Sequence, residues 1–138
     1  MTRTYAGTIE MLRQAGLRPT RQRVGLAHLL FGQGDRHVTA DQLRGEAETA
    51  GIKVSLATVY NTLHQFSGAG LLSEVFVEPG RSYFDTNTAS HHHFFNVDTG
   101  DLADIPDGEV GVTALPVPPA GTAIDDVSIV VRVRKHQR

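Results

Sequence analysis

The sequence predicts an α+β fold in which helices come first and short strands follow. In the first half of the chain, apolar residues recur at three- and four-residue spacing, which is the period of an amphipathic helix. In the second half, apolar and polar residues alternate, as they do in strands that bury one face. The sequence therefore indicates a helical N-terminal domain and a smaller, β-rich C-terminal domain.

The first two predicted helices end where glycine interrupts the apolar period. The first spans residues 8–15 and stops at Gly16. Pro19-Thr20 opens the second helix, and Gly32-Gln33-Gly34 ends it.

The third and fourth predicted helices form a helix-turn-helix pattern. Thr39 and Gln42 have the spacing of a capping box, so they start the third helix, which ends near Gly51. Ser55 caps the fourth helix after a short turn. The face predicted to lie in the core consists of Leu56, Val59, Leu63 and Phe66. The face predicted to be exposed consists of Thr58, Asn61, Thr62 and Gln65.

Two strands and a tight turn complete a winged-helix domain. Residues 71–77 and 82–85 have strand character, and Pro79-Gly80 between them suits a type II turn. A β-hairpin that follows a helix-turn-helix gives the winged-helix arrangement. We therefore assign residues 1–86 to this domain and residues 87–90 to a hinge.

Residues 91–138 form the second predicted domain. Alternation predicts strands at 93–98, 102–105 and 127–133, and the Pro- and Gly-rich stretch 106–121 is expected to be irregular. Three short strands make too small a core to be stable alone. We therefore expect a homodimer, in which a second copy of this dimerisation domain supplies the missing burial.

Composition excludes several classes of protein. The chain has no cysteine, which excludes disulfides, thiolate metal sites and a cysteine nucleophile. No apolar run reaches about 18 residues, so no membrane span is predicted. No secretory signal is visible at the N-terminus, and we expect a cytoplasmic protein.

Charge is divided unevenly along the chain, although the formal net charge is only −2. The first 30 residues hold five arginines and a single acid, whereas residues 87–131 contain seven acids and neither Lys nor Arg. Basic side chains neutralise phosphate in nucleic-acid complexes. This distribution suits a chain that contacts phosphate with its N-terminal half.

The fourth helix is predicted to contact the bases of double-stranded DNA. A recognition helix needs short polar side chains near its N-terminal end and an apolar back, and this helix has both. Arginines at the start of the second helix can hold phosphate. The predicted DNA-binding residues are Arg18, Arg21, Arg23, Ser55, Thr58, Tyr60 and Asn61.

Imidazoles and carboxylates without a thiolate suggest a ligand site. The candidates are His37, Asp85, His91, His92, His93 and Asp104. Such donors suit Fe(II), Mn(II) or Zn(II), and their chemistry does not choose among the three metals. A run of histidines also occurs in plain surface turns, so these residues alone do not establish a site.

Several segments closely resemble the ferric uptake regulator superfamily. They are Gly16-Leu17-Arg18-Pro19-Thr20-Arg21-Gln22-Arg23, His37-Val38-Thr39-Ala40 and residues 54–63. The stretch from Phe84 to Phe95, which includes the His triplet, looks most like the iron response regulator branch, Irr. The resemblance implies a dimeric winged-helix repressor that acts in iron and haem control.

The resemblance also implies a metal site that bridges the two domains. Residue by residue, the regulatory ligands of the family match His37 and Asp85 in the first domain and His93 and Asp104 in the second. Two imidazoles and two carboxylates would neutralise a divalent cation. Filling the site would then fix the angle between the DNA-reading heads.

This chain departs from the family pattern at several positions. The structural zinc of the family uses Cys-x-x-Cys, and residues 96–100 read Asn-Val-Asp-Thr-Gly here, so no cysteine-type zinc is expected. Ser90 stands where the second metal site of the family has a histidine. Asn61 stands where an arginine is common, which could shift base preference.

The leading hypothesis is an iron-responsive, Irr-like transcriptional repressor that binds AT-rich operators and senses a metal ion, haem or both. Imidazole is an adequate axial ligand for haem iron, and the haem candidates are His91, His92 and His93. One alternative is a manganese- or zinc-responsive regulator of the same family without haem sensing. An alternative from another class is a small metal-dependent hydrolase, but no acid lies beside the histidines as an obvious base.

Overall fold

The N-terminal unit contains helices and a small antiparallel sheet. The computed structural model describes residues 3–136, and the chain divides into two compact units between Thr88 and Ala89. The elements of the first unit are α1 (Tyr5–Gln14), α2 (Arg21–Phe31), β1 (His37–Val38), α3 (Ala40–Thr49), α4 (Leu56–Gly68), β2 (Ser73–Glu78) and β3 (Arg81–Asp85). This order is the predicted helix-turn-helix followed by a hairpin wing. Of the helices that the structure describes, none is both long and apolar enough to cross a membrane.

Hydroxyl caps set where the helices begin. Thr39 Oγ1 accepts from the backbone N of Gln42 at 3.1 Å, and Gln42 Oε1 accepts from the backbone N of Thr39 at 2.9 Å, so the predicted capping box is formed. Helix α1 begins at Tyr5 rather than at the predicted residue 8, because the Thr4 hydroxyl caps it by accepting from Gly7 N at 3.0 Å. That cap lies ahead of the apolar period from which the helix was predicted.

An apolar core joins the helices to the sheet. Its fully buried side chains include Leu12, Leu26, Leu30, Val38, Leu43, Val59, Leu63, Phe66 and Phe84. On α4 the prediction was wrong at two positions, because Leu56 is 38% exposed and Thr62 is only 5% exposed. Leu56 is the first residue of the helix and lies beyond the edge of the core. Thr62 falls three residues after Val59 and four before Phe66, so it completes the inward-facing stripe.

The first sheet has the strand order β1-β3-β2, and all its pairings are antiparallel. Strand β1 was not predicted, because two residues are too few to show an alternating pattern. Its pairing sets His37 opposite Asp85. At the tip of the wing Gly80 has a φ of 74°, as the third position of a type II turn requires.

The second unit contains a small mixed sheet. Its strands are β4 (His93–Asn96), β5 (Leu102–Asp104) and β6 (Val130–Val133), in the order β5-β4-β6. Strand β4 pairs antiparallel with β5 and parallel with β6. The predicted closing strand 127–133 begins only at Val130, because β4 itself starts at His93, the Cα partner of Val130. Residues 106–121 contain no helix or strand, as expected.

We predict that Thr39→Ala destabilises the protein by about 1 kcal/mol, because it removes the side-chain acceptor at the start of α3. Thr39→Ser keeps a hydroxyl at the same place and should lose much less. Urea unfolding followed by circular dichroism measures both. Equal stability of the two variants would mean that the capping box adds nothing.

Candidate functional site

Short polar side chains occupy the N-terminal end of α4, and one of them, Ser55, caps the helix. Ser55 Oγ accepts from Thr58 N at 3.1 Å and donates to Thr58 Oγ1 at 3.0 Å. A hydroxyl carries a single donor hydrogen, so that of Ser55 is used within the helix. The hydroxyl hydrogen of Thr58 can still be donated elsewhere.

Tyr60 lies against the wing while part of it stays exposed. Its ring stacks on His64 with the ring centroids 5.4 Å apart, and it meets the edge of the Phe84 ring at 6.4 Å. Phe84 is fully buried in β3, whereas Tyr60 is 36% exposed and Asn61 is also exposed. Tyr60 is therefore held by its neighbours and still accessible.

The three arginines predicted to bind DNA differ in what they contact. Arg23 donates to Gln65 Oε1 through Nε at 3.2 Å and through Nη2 at 3.1 Å, and its Nη1 donates to the Arg18 carbonyl at 3.0 Å. Arg23 thus ties the start of α2 to α4. The guanidinium groups of Arg18 and Arg21 are exposed and make no hydrogen bond or ion pair with any described residue.

A groove beside the cap of α4 adds two cations that the sequence pattern did not single out. Its volume is about 620 Å³, and the charged residues of its lining are Arg44, Lys53 and one acid, Glu48. Both cations are exposed. The unpaired N–H groups at a helix N-terminus favour anions, so these two cations lie where a phosphate is stabilised. Lys53 lies in the turn between α3 and α4, a position the sequence shows, whereas Arg44 lies within α3.

The first unit pairs His37 with Asp85. They are Cα partners in the β1–β3 ladder. Asp85 is 1% exposed, and its Oδ1 accepts from the backbone N of Asn87 at 2.9 Å. A carboxylate buried to this degree has to be compensated by hydrogen bonds or positive charge. The pair therefore offers one nitrogen and one oxygen donor in a setting that favours a cation.

The second unit brings two histidines to one carboxylate. The Nε2 atoms of His91 and His93 lie 3.2 Å and 3.4 Å from the same Oδ1 of Asp104. His93 is 2% exposed and is the Cα partner of Asp104 in the β4–β5 ladder. His92 differs, because its Nδ1 accepts from the backbone N of Ile129 at 3.0 Å. The structure thus brings His91, predicted from the sequence as a haem candidate, to the carboxylate of Asp104.

A hydrogen-bonded turn occupies the stretch where the Cys-x-x-Cys pattern is missing. Asn96 Oδ1 accepts from the backbone N of Asp98 at 2.9 Å and of Thr99 at 3.2 Å, and Gly100 N donates to the Asn96 carbonyl at 2.8 Å. Asp98 Oδ2 accepts from Lys135 N at 2.7 Å. These bonds order the turn without a thiolate.

The donors of the two units suit a divalent cation. Each unit supplies imidazole nitrogen and carboxylate oxygen, and the sequence contains no thiolate. Mixed nitrogen and oxygen donors fit Fe(II), Mn(II) and Zn(II). The donor chemistry therefore agrees with a regulatory metal and leaves its identity open.

Known proteins resemble this chain over most of its length. Residues 14–131 match the model of the ferric uptake regulator family. The ferric uptake regulation protein of Pseudomonas aeruginosa is 35% identical over 128 residues, which cover 91% of this chain and 96% of that protein. The structure of the ferric uptake regulator from Pseudomonas aeruginosa with manganese matches with a TM-score of 0.69 at 32% identity, over 93% of this chain and 97% of that chain.

A second solved structure supports the fold alone. The Vibrio cholerae ferric uptake regulator, at 24% identity, matches with a TM-score of 0.72 over 92% of this chain and 98% of that chain.

The family match and the sequence identity together establish the protein family. The chain belongs to the ferric uptake regulator family, whose members are metal-responsive, DNA-binding transcription regulators and not enzymes.

Proposed function

We propose that this protein is an iron-responsive repressor that binds its operator as a homodimer and is controlled by a divalent cation. The observation that carries the proposal is that each unit pairs imidazole with carboxylate, and that the first pair lies within the sheet of the winged helix. The protein would act in the cytoplasm, where its operator lies. The hydrolase alternative is wrong, because the family consists of regulators.

The residues predicted to bind DNA fall into groups that would contact phosphate, contact bases or hold α4 in place. Arg18 and Arg21 are proposed to hold phosphate, since their guanidinium groups are exposed. Base edges in the major groove would meet the exposed side of α4. The residues proposed for that contact are Thr58, Tyr60 and Asn61. Ser55 and Arg23 would chiefly hold α4 in place, because their polar atoms are already bonded within the unit.

The metal proposal joins the two pairs. His37 and Asp85, together with His93 and Asp104, are proposed to hold one cation, and His91 is an additional candidate donor. The proposal is supported by the pairing of the buried Asp85 with His37 in the β1–β3 ladder. A cation held by residues 1–86 and 91–138 together would restrict a hinge at 87–90 and so favour one arrangement of the DNA-binding domains.

The homodimer proposal rests on the small size of the second unit. Its described sheet has three short strands, which bury too little surface to be stable alone. Several large apolar side chains of the second unit are exposed, and they are Val112, Leu115, Val117 and Ile124. A second copy of this unit would cover exposed apolar surface of this kind.

We predict that Arg21→Ala weakens operator binding. The plot of log association constant against log salt concentration should become shallower by about 1 unit of slope, because one phosphate contact is lost. Fluorescence anisotropy across a salt series measures the slope. Arg134→Ala is the control, since Arg134 is exposed but lies in the second unit. If Arg21→Ala keeps the wild-type slope, Arg21 does not contact phosphate.

We predict that His37→Ala and His93→Ala each abolish the same equivalent of bound Mn(II), because the two histidines share one cation. Loss of a direct ligand should cost more affinity than the roughly 10- to 100-fold that loss of an outer partner costs. Equilibrium dialysis with metal analysis counts the ions, and His136→Ala is the control. If either variant still binds Mn(II) tightly through the unmutated histidine–carboxylate pair, the chain has two separate sites. That result would contradict a shared cation.

The Irr-like branch of the proposal adds haem. His91 and His93 both contact Asp104, whereas His92 uses its Nδ1 as an acceptor, so Nε2 of His92 is the imidazole nitrogen we assign to haem iron. We predict a Soret shift on haem titration that shrinks more in His92→Ala than in His91→Ala. No shift in the wild type would favour a manganese- or zinc-responsive regulator without haem sensing.

A further inference from the structure

Arg36 lies immediately before the metal-ligand candidate His37, and its backbone is bonded to the residue that follows Asp85. Arg36 N donates to Thr86 Oγ1 at 2.8 Å, and Thr86 N donates to the Arg36 carbonyl at 2.9 Å. These bonds continue the β1–β3 connection one step beyond the ligand pair. The spacing of His37 and Asp85 is thereby held at its outer end.

The side chain of Arg36 contacts two helices of the same unit. Its Nη1 donates to Glu46 Oε1 at 2.8 Å and its Nη2 to Glu46 Oε2 at 2.5 Å, a bidentate ion pair with α3. Nη1 also donates to the Leu29 carbonyl at 3.3 Å. That carbonyl is in the last turn of α2, where it has no partner within the helix. One residue thus ties the strand of His37 to both α2 and α3.

Stability alone does not account for this arrangement. The two side chains are 33% and 36% exposed, and ion pairs in such positions stabilise a protein by less than about 1 kcal/mol. What a bidentate guanidinium adds is a fixed orientation, which a lysine in the same place would not supply. Helix α3 leads through a short turn to α4, so a fixed orientation of α3 bears on how α4 meets DNA.

We infer that Arg36 is a positioning residue for the metal site, which with Glu46 fixes the His37–Asp85 pair relative to α2 and α3. The effect of the cation on operator binding then depends in part on this ion pair, which links the ligand strands to α2 and α3, while Phe84 separately packs β3 against α4. The inference rests on the proposed function, since it requires the cation to bind at His37 and Asp85. Arg36 itself does not touch the cation.

The test measures the operator dissociation constant of the full chain with and without Mn(II). The probe is a duplex selected in vitro from random DNA by the manganese-loaded protein, and the ratio of the two constants defines the coupling. In Glu46→Gln this ratio should move toward unity by roughly two- to thirtyfold. Metal-free affinity for the duplex should stay within about twofold, because the helices themselves remain folded. Arg36→Lys should change the ratio in the same direction, since lysine keeps the charge but cannot form the bidentate contact with the Glu46 carboxylate.

Glu78→Gln is the matched control. It makes the same substitution in another ion pair of the first unit, at the tip of the wing, where Arg81 Nη1 and Glu78 Oε1 are 3.2 Å apart. That hydrogen bond raises the pKa of the Arg81 guanidinium. The control should keep the wild-type coupling ratio.

Two results would overturn the role of Arg36. One is an unchanged ratio in both Glu46→Gln and Arg36→Lys. The other is an equal loss of affinity with and without Mn(II), which a purely structural contribution would produce. If the wild-type chain itself shows no effect of Mn(II), the proposed function fails instead, so the two failures are distinguishable.

Discussion

The short pairing of β1 with β3 is the interaction on which the candidate metal site depends. It places His37 opposite Asp85 and leaves Asp85 1% exposed. A buried carboxylate needs hydrogen-bonding or cationic partners, and Asp85 accepts a hydrogen bond from the backbone N of Asn87. The same strands continue to Arg36 and Thr86, and the Arg36 side chain reaches α3. In the first unit, the metal-ligand candidates and the helices proposed to bind DNA therefore belong to one hydrogen-bonded structure.

Strand β3 also contacts the helix that is proposed to meet DNA. Phe84, the neighbour of Asp85, touches Tyr60 and His64, with ring centroids 6.4 Å and 5.5 Å away. Successive side chains of a strand lie on opposite faces, so one strand carries a ligand candidate on one face and a packing contact with α4 on the other. A change in the position of β3 would therefore move both the ligand candidate Asp85 and the packing contact with α4. Such a shared element can couple metal binding to DNA binding.

Local sequence signals predicted the helices well. The features that they missed depend on core packing and on strand pairing. The capping box at Thr39 acts within four residues, so its pattern is visible in the sequence and is formed in the structure. Burial of Thr62 and exposure of Leu56 depend on where the core ends, which a helical period does not define. The approach of His91 to Asp104 follows from the pairing of β4 with β5 and has no sequence signature. The native ligand stays open because nitrogen and oxygen donors accept several metals.

The most direct test of the account is whether operator DNA changes the affinity of the protein for Mn(II). If one cation site is coupled to DNA binding, the operator must alter the Mn(II) dissociation constant by the same factor by which Mn(II) alters the operator dissociation constant. Titration of Mn(II) into the wild-type chain, alone and saturated with operator duplex, measures that factor. If binding is coupled, the two isotherms differ, and the ratio of their Mn(II) dissociation constants equals the factor by which Mn(II) changes the operator dissociation constant. Superimposable isotherms would show that the metal and the operator bind independently, and that would contradict the account.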